Sequence, residues 1–519
     1  MPIPNIMFQG TASTVGKSIV AAAFCRIFKQ DGYRVAPFKS QNMALNSYIT
    51  LEGGEMGRAQ VVQAEAAGIE PTVDMNPILL KPTSDYLAQV IVKGEVFQCM
   101  SALQYDEYKP LLMDLIMESY RRLALQSDII VIEGAGSPAE INLRDRDIVN
   151  MGLAEQIDTP VILIGDIDKG GVFASLFGTV MLLPEAERKR IKGFIINKFR
   201  GDSEILKPGL TMIEDLTGIP VLGVIPYFNI AIDDEDSVTE RFQRCSAVDA
   251  DRINIGIINY PYMSNFTDFA PLENQPGVQA RYFNRYDPGY LPDLVILPGS
   301  KNTIADLRFI RESRLDIWLK KYYESGGLIM GICGGFQMLG VKITDPDGVE
   351  SELSEMKGLG FLDIHTRFLK EKITARVSAR VNDLFNTGLA NLSGVPVAGY
   401  EIHMGVSTPG DAAKPFTRIE SRLGVAIEEI DGYASVDGRV FGTYIHGIFD
   451  TPDFLGKLVN MLRGRKGFEE DSQRDFQKVI DYKQFKEAEY DKLADIVRNN
   501  VDINRIYEIV LRRSSMEIK

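Results

Sequence analysis

Near the N-terminus, Gly10-Thr11-Ala12-Ser13-Thr14-Val15-Gly16-Lys17-Ser18 limits the possible fold more than any other segment. It joins an apolar run at 5–9 to a helical pattern over 17–30 that Asp31-Gly32 closes. A glycine-rich turn from strand to helix gathers backbone N–H groups and the positive end of a helix dipole around one point, which suits an anion. The pattern predicts a phosphate cradle formed by Gly10, Thr11, Thr14, Gly16 and Lys17, with the Lys17 ammonium on the β and γ phosphates of a nucleotide and the Ser18 hydroxyl on Mg²⁺. Five residues rather than the common four separate Gly10 from Gly16. Further apolar runs at 34–38, 129–132, 161–164 and 194–196 alternate with helical segments. Those at 129–132, 161–164 and 194–196 are continuous, as in parallel strands covered on both faces, so the expected class is α/β.

A second α/β unit follows. After 221–226 the chain turns acidic at Ile232-Asp233-Asp234-Glu235-Asp236 and stays polar to Arg252, which reads as a linker. Apolar runs at 253–259, 294–297, 328–332 and 440–445 look like central strands of another parallel sheet. Beyond Asp450 the pattern is charged and helical, with apolar spacing through 454–462, 476–485 and 503–511, so a helical tail packed on one of the domains is expected. The implied boundaries are 1–235, 252–450 and 451–519, which suits a length of 519 residues at roughly 150 residues per domain.

Charge and cysteine usage remove several function classes. With 71 acidic against 57 basic side chains the net charge is -14, the wrong sign for holding nucleic acid on a general basic surface. No stretch approaches the roughly 18 apolar residues of a membrane span, and no basic segment leads into an apolar one at the N-terminus; a cytoplasmic address without membrane contact is expected. Cys25, Cys99, Cys245 and Cys333 are scattered without a CxxC pair, which suggests neither a disulfide framework nor zinc. Cys333 differs from the rest. In Gly331-Ile332-Cys333-Gly334-Gly335-Phe336-Gln337-Met338-Leu339-Gly340 it follows an apolar run directly, and the glycines around it allow a sharp turn into a helix that exposes the thiol and favours the thiolate. Cys25, Cys99 and Cys245 read as small core residues.

Two family resemblances attach to these motifs. The long phosphate loop resembles that of dethiobiotin synthetase and its relatives, as do Lys39 after the second strand, Glu133-Gly134-Ala135-Gly136 after the third and Asn197-Lys198 at a later strand end. That resemblance implies ATP-driven activation of a carboxylate, with Glu133 beside Ser18 as a Mg²⁺ ligand and Asn197 reading adenine. The Cys333 segment resembles the elbow of class I glutamine amidotransferases, which implies attack of the thiolate on the side-chain amide of glutamine. Under it, His446 in Gly442-Thr443-Tyr444-Ile445-His446-Gly447 is the expected base, and Leu297-Pro298-Gly299-Ser300 is the oxyanion segment, with N–H donors at Gly299 and Gly334. The family's usual glutamate two residues after the histidine is replaced by Ile448, so a Cys333–His446 dyad is expected. His365 and His403 read as structural residues.

The order of all these motifs resembles the cobyric acid synthases over nearly the whole chain. Lys39-Ser40-Gln41-Asn42-Met43, Met75-Asn76-Pro77-Ile78-Leu79-Leu80-Lys81-Pro82, Gly165-Asp166-Ile167-Asp168-Lys169-Gly170-Gly171-Val172-Phe173 and residues 399–405 carry it. It implies amidation of the b, d, e and g side chains of adenosylcobyrinic acid a,c-diamide, with ATP, Mg²⁺ and glutamine. The related a,c-diamide synthases carry an acidic residue where this chain has Gln41-Asn42. A ParA-like nucleotide switch would account for the phosphate loop and leave Cys333 without a role.

Overall fold

The computed structural model describes residues 3–82, 86–232, 248–351, 353–468 and 479–516. Two compact units make up the chain: residues 1–44, 55–235 and 486–519 form the first, and 45–54 with 236–485 the second.

The first unit begins with β1 (Asn5–Gly10), α1 (Lys17–Gln30) and β2 (Val35–Phe38). It continues through β3 (Gln41–Met43), α2 (Arg58–Ala67), β4 (Ile78–Pro82), β5 (Leu87–Val92), β6 (Glu95–Ser101) and α3 (Ala102–Ala124). Then come β7 (Ile129–Glu133), β8 (Val161–Asp166), α4 (Val172–Leu182), β9 (Ile191–Phe199) and β10 (Val221–Pro226). Six strands make a parallel sheet in the order β10-β9-β8-β1-β7-β2. β1, β7 and β8 are buried along their whole length, as their continuous apolar runs require. All the loops that carry the first group of motifs leave the carboxyl ends of these strands, where open α/β sheets bind ligands. A smaller sheet, β3-β4-β5-β6, was not foreseen from the sequence; its short strands lack the long apolar runs that mark a buried sheet.

The second unit contains β11 (Ile253–Ile258), β12 (Val278–Phe283), β13 (Leu294–Leu297), α5 (Thr303–Glu312), β14 (Ile329–Ile332) and the short α6 (Gly334–Met338). A long hairpin of β15 (Ile364–Val381) and β16 (Pro396–Pro409) is followed by β17 (Thr417–Arg422), β18 (Val425–Ile430), β19 (Tyr433–Ala434) and β20 (Val440–Thr443). The main sheet runs β12-β11-β13-β14-β20 in parallel, with β19 and Lys414–Pro415 added antiparallel beyond β20. β15 pairs antiparallel with both β16 and β17, so a second sheet stands beside the first.

The tail departs from the expectation of one domain carrying it. Among α7 (Pro452–Lys466), α8 (Tyr482–Asn500) and α9 (Ile503–Met516), α7 buries Phe454, Leu455, Leu458 and Leu462 in the core of the second unit. Tyr490, Leu493, Val497, Ile506 and Val510 of α8 and α9 instead join Phe24 and Phe28 of α1 in the first. Arg26 seals that contact, reaching Glu487 at 2.8 Å and Asp491 at 2.7 Å. Most of the expected linker, 233–247, and the start of the 476–485 run lie outside the described residues. So does Cys245; Cys99 is exposed on β6 rather than in a core. Among the described residues no helix is long and apolar enough to cross a membrane.

Candidate active sites

The phosphate loop leaves β1 and enters α1 through Gly16, whose φ of 96° a side chain would resist and whose added Cβ would lie 2.3 Å from Asn197 Nδ2. Gly10 is equally constrained, with Val15 Cγ2 at 2.6 Å from a Cβ placed there. Thr11 N donates to Ile164 O at the end of β8. The Lys17 ammonium donates to Ala12 O (2.9 Å), Ser13 O (3.0 Å) and Gly136 O (3.1 Å), tying the loop after β1 to the loop after β7. Thr14 at the loop tip accepts from Lys169 at Oγ1 (2.9 Å) and from Lys198 at its carbonyl (2.7 Å). Asn197 lies against the loop, donating from Nδ2 to Val15 O at 2.9 Å and accepting Lys198 N at Oδ1.

Glu133, buried at the end of β7, is where the sequence-predicted residues meet. Its Oε1 accepts from Ser18 Oγ and from Lys39 Nζ, both at 2.8 Å. Its Oε2 accepts from Gln63 at 2.6 Å and Gln60 at 3.3 Å, two α2 residues that no motif announced. They sit three apart on one helix face, a spacing too common to signal a site. A hydroxyl and a carboxylate oxygen side by side at the foot of a phosphate loop form a hard-oxygen donor set that fits Mg²⁺. No three His, Cys, Asp or Glu side chains group as a metal cage among the described residues, so such an ion would rely on Ser18, Glu133 and oxygens of nucleotide and water.

In the second unit Cys333 sits at φ 49° and ψ −109°, between β14 and α6. For a residue with a Cβ this is a sparsely populated conformation, costing on the order of 1–3 kcal/mol, and its persistence marks an enforced turn. The turn is enforced from below: a Cβ on Gly335 would lie 2.0 Å from Leu297 O, and one on Gly334 2.8 Å from Ser300 N. Only glycines let the elbow press onto the end of β13. Gly299 meets the same limit, with His446 Cε1 at 2.8 Å from a Cβ placed there. Cys333, His446, Gly299 and Gly334 are therefore brought together, and Cys333 is near enough to the His446 ring to help raise its pKa, while its thiol donates to Ile402 O at 3.6 Å.

A carboxylate lies against the histidine of the expected dyad. His446 Nδ1 lies 2.6 Å from Asp268 Oδ2, and Gly447 N donates to Asp268 Oδ1 at 3.0 Å. The carboxylate fixes the Nδ1–H tautomer and leaves Nε2 for the thiol. Burial alone would lower the imidazole's pKa; the charge and hydrogen bond of Asp268, with the Cys333 contact, outweigh it and raise it from 6.5 to about 10. Asp268 belongs to Phe266–Phe269, a turn after β11, far in sequence from Ile448, which stands where the resembled family has its glutamate. Of the other histidines, His365 is exposed and apart, whereas His403 is buried and stacks on Tyr444 with ring centroids 3.9 Å apart. Cys25 is buried in α1, and burial pushes its thiol pKa up, away from reactivity.

Comparison with known proteins matches each half. Residues 6–237 match the CobQ/CobB/MinD/ParA nucleotide binding domain, and residues 254–454 the CobB/CobQ-like glutamine amidotransferase domain. Cobyric acid synthase of Thermoanaerobacter sp. (strain X514) is 55% identical over 508 residues, spanning 98% of this chain and 99% of that protein. The chain belongs to the cobyric acid synthase family. Relatives of that name from Clostridium acetobutylicum and Alkaliphilus metalliredigens are 54% and 53% identical, over 98% and 97% of this chain. The two domain matches fall on the two parallel sheets, with the phosphate loop in one and the elbow in the other.

Proposed function

We propose that the chain is a glutamine-hydrolysing, ATP-dependent amide ligase that converts the b, d, e and g carboxylates of adenosylcobyrinic acid a,c-diamide into carboxamides, giving adenosylcobyric acid. One observation carries the reading. The same chain holds a Cys333–His446–Asp268 relay at a strained elbow and a phosphate loop whose Ser18 meets Lys39 at one buried carboxylate, Glu133.

At the elbow, Cys333 Sγ attacks the side-chain carbonyl carbon of glutamine while its proton is held by His446 Nε2. The N–H groups of Gly299 and Gly334 receive the oxyanion. As the C–N bond breaks, His446 returns the proton to the departing ammonia; it then deprotonates a water that opens the thioester, releasing glutamate and restoring the thiol. At the phosphate loop, a corrin carboxylate oxygen attacks the γ-phosphorus of ATP, ADP leaves, and ammonia displaces phosphate from the resulting acyl phosphate. Lys17 and the loop N–H groups offset the charge on the transferring group. Mg²⁺, when bound at Ser18 and Glu133, supplies further charge neutralisation. Asn197 faces adenine in this reading, which requires its bond to Val15 O to open.

The test is amidation followed by mass, with glutamine or with ammonium at alkaline pH as nitrogen source. Cys333→Ser should abolish the glutamine route and keep the ammonium route; Lys17→Ala should remove both, since ammonia does not attack an unactivated carboxylate. Glutamine-driven product at an unaltered rate from Cys333→Ser, or robust product from Lys17→Ala, sinks the corresponding assignment.

A further inference from the structure

A buried acidic group beside the elbow is used by none of these steps. β16 passes directly over the nucleophile: Cys333 Sγ donates to Ile402 O at 3.6 Å, a Cβ on Gly399 would lie 2.1 Å from His446 O, and one on Gly405 would lie 2.4 Å from Gln337 Nε2. Glu401 and His403 flank Ile402 on this strand, both buried, and share its other face because strand side chains alternate. Glu401 Oε2 is well bonded to Arg422 Nε at 2.9 Å. Its Oε1 has two long contacts, Arg422 Nη2 at 3.3 Å and His403 Nε2 at 3.5 Å.

The histidine's other nitrogen explains why the last contact is long. His403 Nδ1 is 2.8 Å from Gly405 O, an atom that can only accept, so a neutral ring spends its single N–H there. A neutral ring then turns the Nε2 lone pair toward Glu401 Oε1, whereas a protonated ring donates to it. Against burial, the hydrogen bonds and charges of His403 and Arg422 hold the Glu401 carboxyl below its usual range, as a carboxylate that a cation would meet. A ligand with several N–H donors and a positive charge satisfies both the lone pair and the carboxylate, and hydrogen bonds to charged groups are the strong ones. Glutamine carries such a group. Its α-nitrogen lies four bonds, at most about 5 Å, from the carbon that Cys333 attacks. Cys333 Sγ touches Ile402 O, and Glu401 and His403 are the residues on either side of Ile402.

We propose that Glu401, oriented by Arg422 and assisted by His403, receives the α-ammonium of glutamine and so selects the free amino acid over other carboxamides. This rests on the reading of the second unit as a glutaminase. The test uses the full chain and compares hydrolysis of glutamine with that of glutaramate, which has the same amide but no α-ammonium. Glu401→Gln should raise the KM for glutamine roughly 10- to 100-fold, the loss expected for one hydrogen-bonded charge. Glutaramate turnover should stay unchanged, so that discrimination collapses, and His403→Gln should shift it in the same direction. Ammonium-driven amidation checks that each variant is folded. An equal fall for both amides overturns the proposal, since that is what a merely structural salt bridge gives. An unchanged KM for glutamine with less amide formed per glutamine hydrolysed also overturns it, assigning the pair to released ammonia instead. If the unaltered chain does not hydrolyse glutamine, the glutaminase reading itself fails, which is a separate outcome.

Discussion

Single residues in the second unit set a pH dependence whose sign can be worked out. His446 holds its proton more tightly in the fold than its ordinary 6.5, up to about 10, so its contribution to stability is complete below 6.5 and lost as pH rises through about 10. Replacing Asp268 by Asn removes the main group that raises it and leaves burial, which lowers it. Asp268→Asn should therefore move the alkaline limb of glutamine hydrolysis to lower pH and reduce kcat roughly 10²-fold, the lower end of what a positioned acid–base group supplies. An unshifted limb in a pH–rate profile would show that Asp268 does not act on the base. Cys333, the proposed nucleophile, carries strain. Glycine tolerates φ 49° and ψ −109° where alanine does not, so Cys333→Gly should be more stable than Cys333→Ala by about 1–3 kcal/mol, reversing the usual penalty of glycine. Chemical unfolding of the two variants decides it, and equal stabilities would mean that the elbow is relaxed.

Among the elements, the tail helices allow a prediction that separates the two activities. Tyr490, Leu493, Val497, Ile506 and Val510 bury their side chains against α1, the helix that begins at the phosphate loop. At about 1.5–3 kcal/mol for each such side chain, the contact amounts to on the order of 10 kcal/mol, comparable with the net stability of a domain. A chain ending at residue 485 should lose ammonium-driven amidation while retaining glutamine hydrolysis; full amidation by it would mean that α1 stands without the tail. The partition of the tail was not legible because helical periodicity states that a face is apolar and says nothing about which core covers it. The two strand-to-helix loops were legible for the opposite reason: backbone geometry demands glycines at fixed places, so Gly16 and Gly335 announce local structure without tertiary context. Asp268, Gln60 and Gln63 lie between these extremes. Each meets its partner only after the sheet has brought distant loops together, and none has a neighbour in sequence that requires it.

For the whole molecule, the question is how one chain modifies several carboxylates of one substrate. Among the described residues there is one phosphate loop with a Ser18–Lys39–Glu133 cluster and one Cys333 elbow. The b, d, e and g carboxylates project from different edges of a rigid macrocycle, so they cannot all meet a single γ-phosphate in one bound orientation. Repositioning must occur between amidations, and because phosphoryl transfer depends on closely held geometry, release and rebinding is the simplest way to present each edge in turn. With corrin in excess over enzyme, a time course by mass should therefore show free species bearing one, two and three new amides, rising and falling in sequence. Glu133→Gln should slow every step by a similar factor, since each uses the same cluster. If only the starting acid and the fully amidated product are found in solution at all times, the substrate turns without leaving and the distributive scheme is wrong. Loss of a single step in Glu133→Gln would point instead to separate sites for different carboxylates.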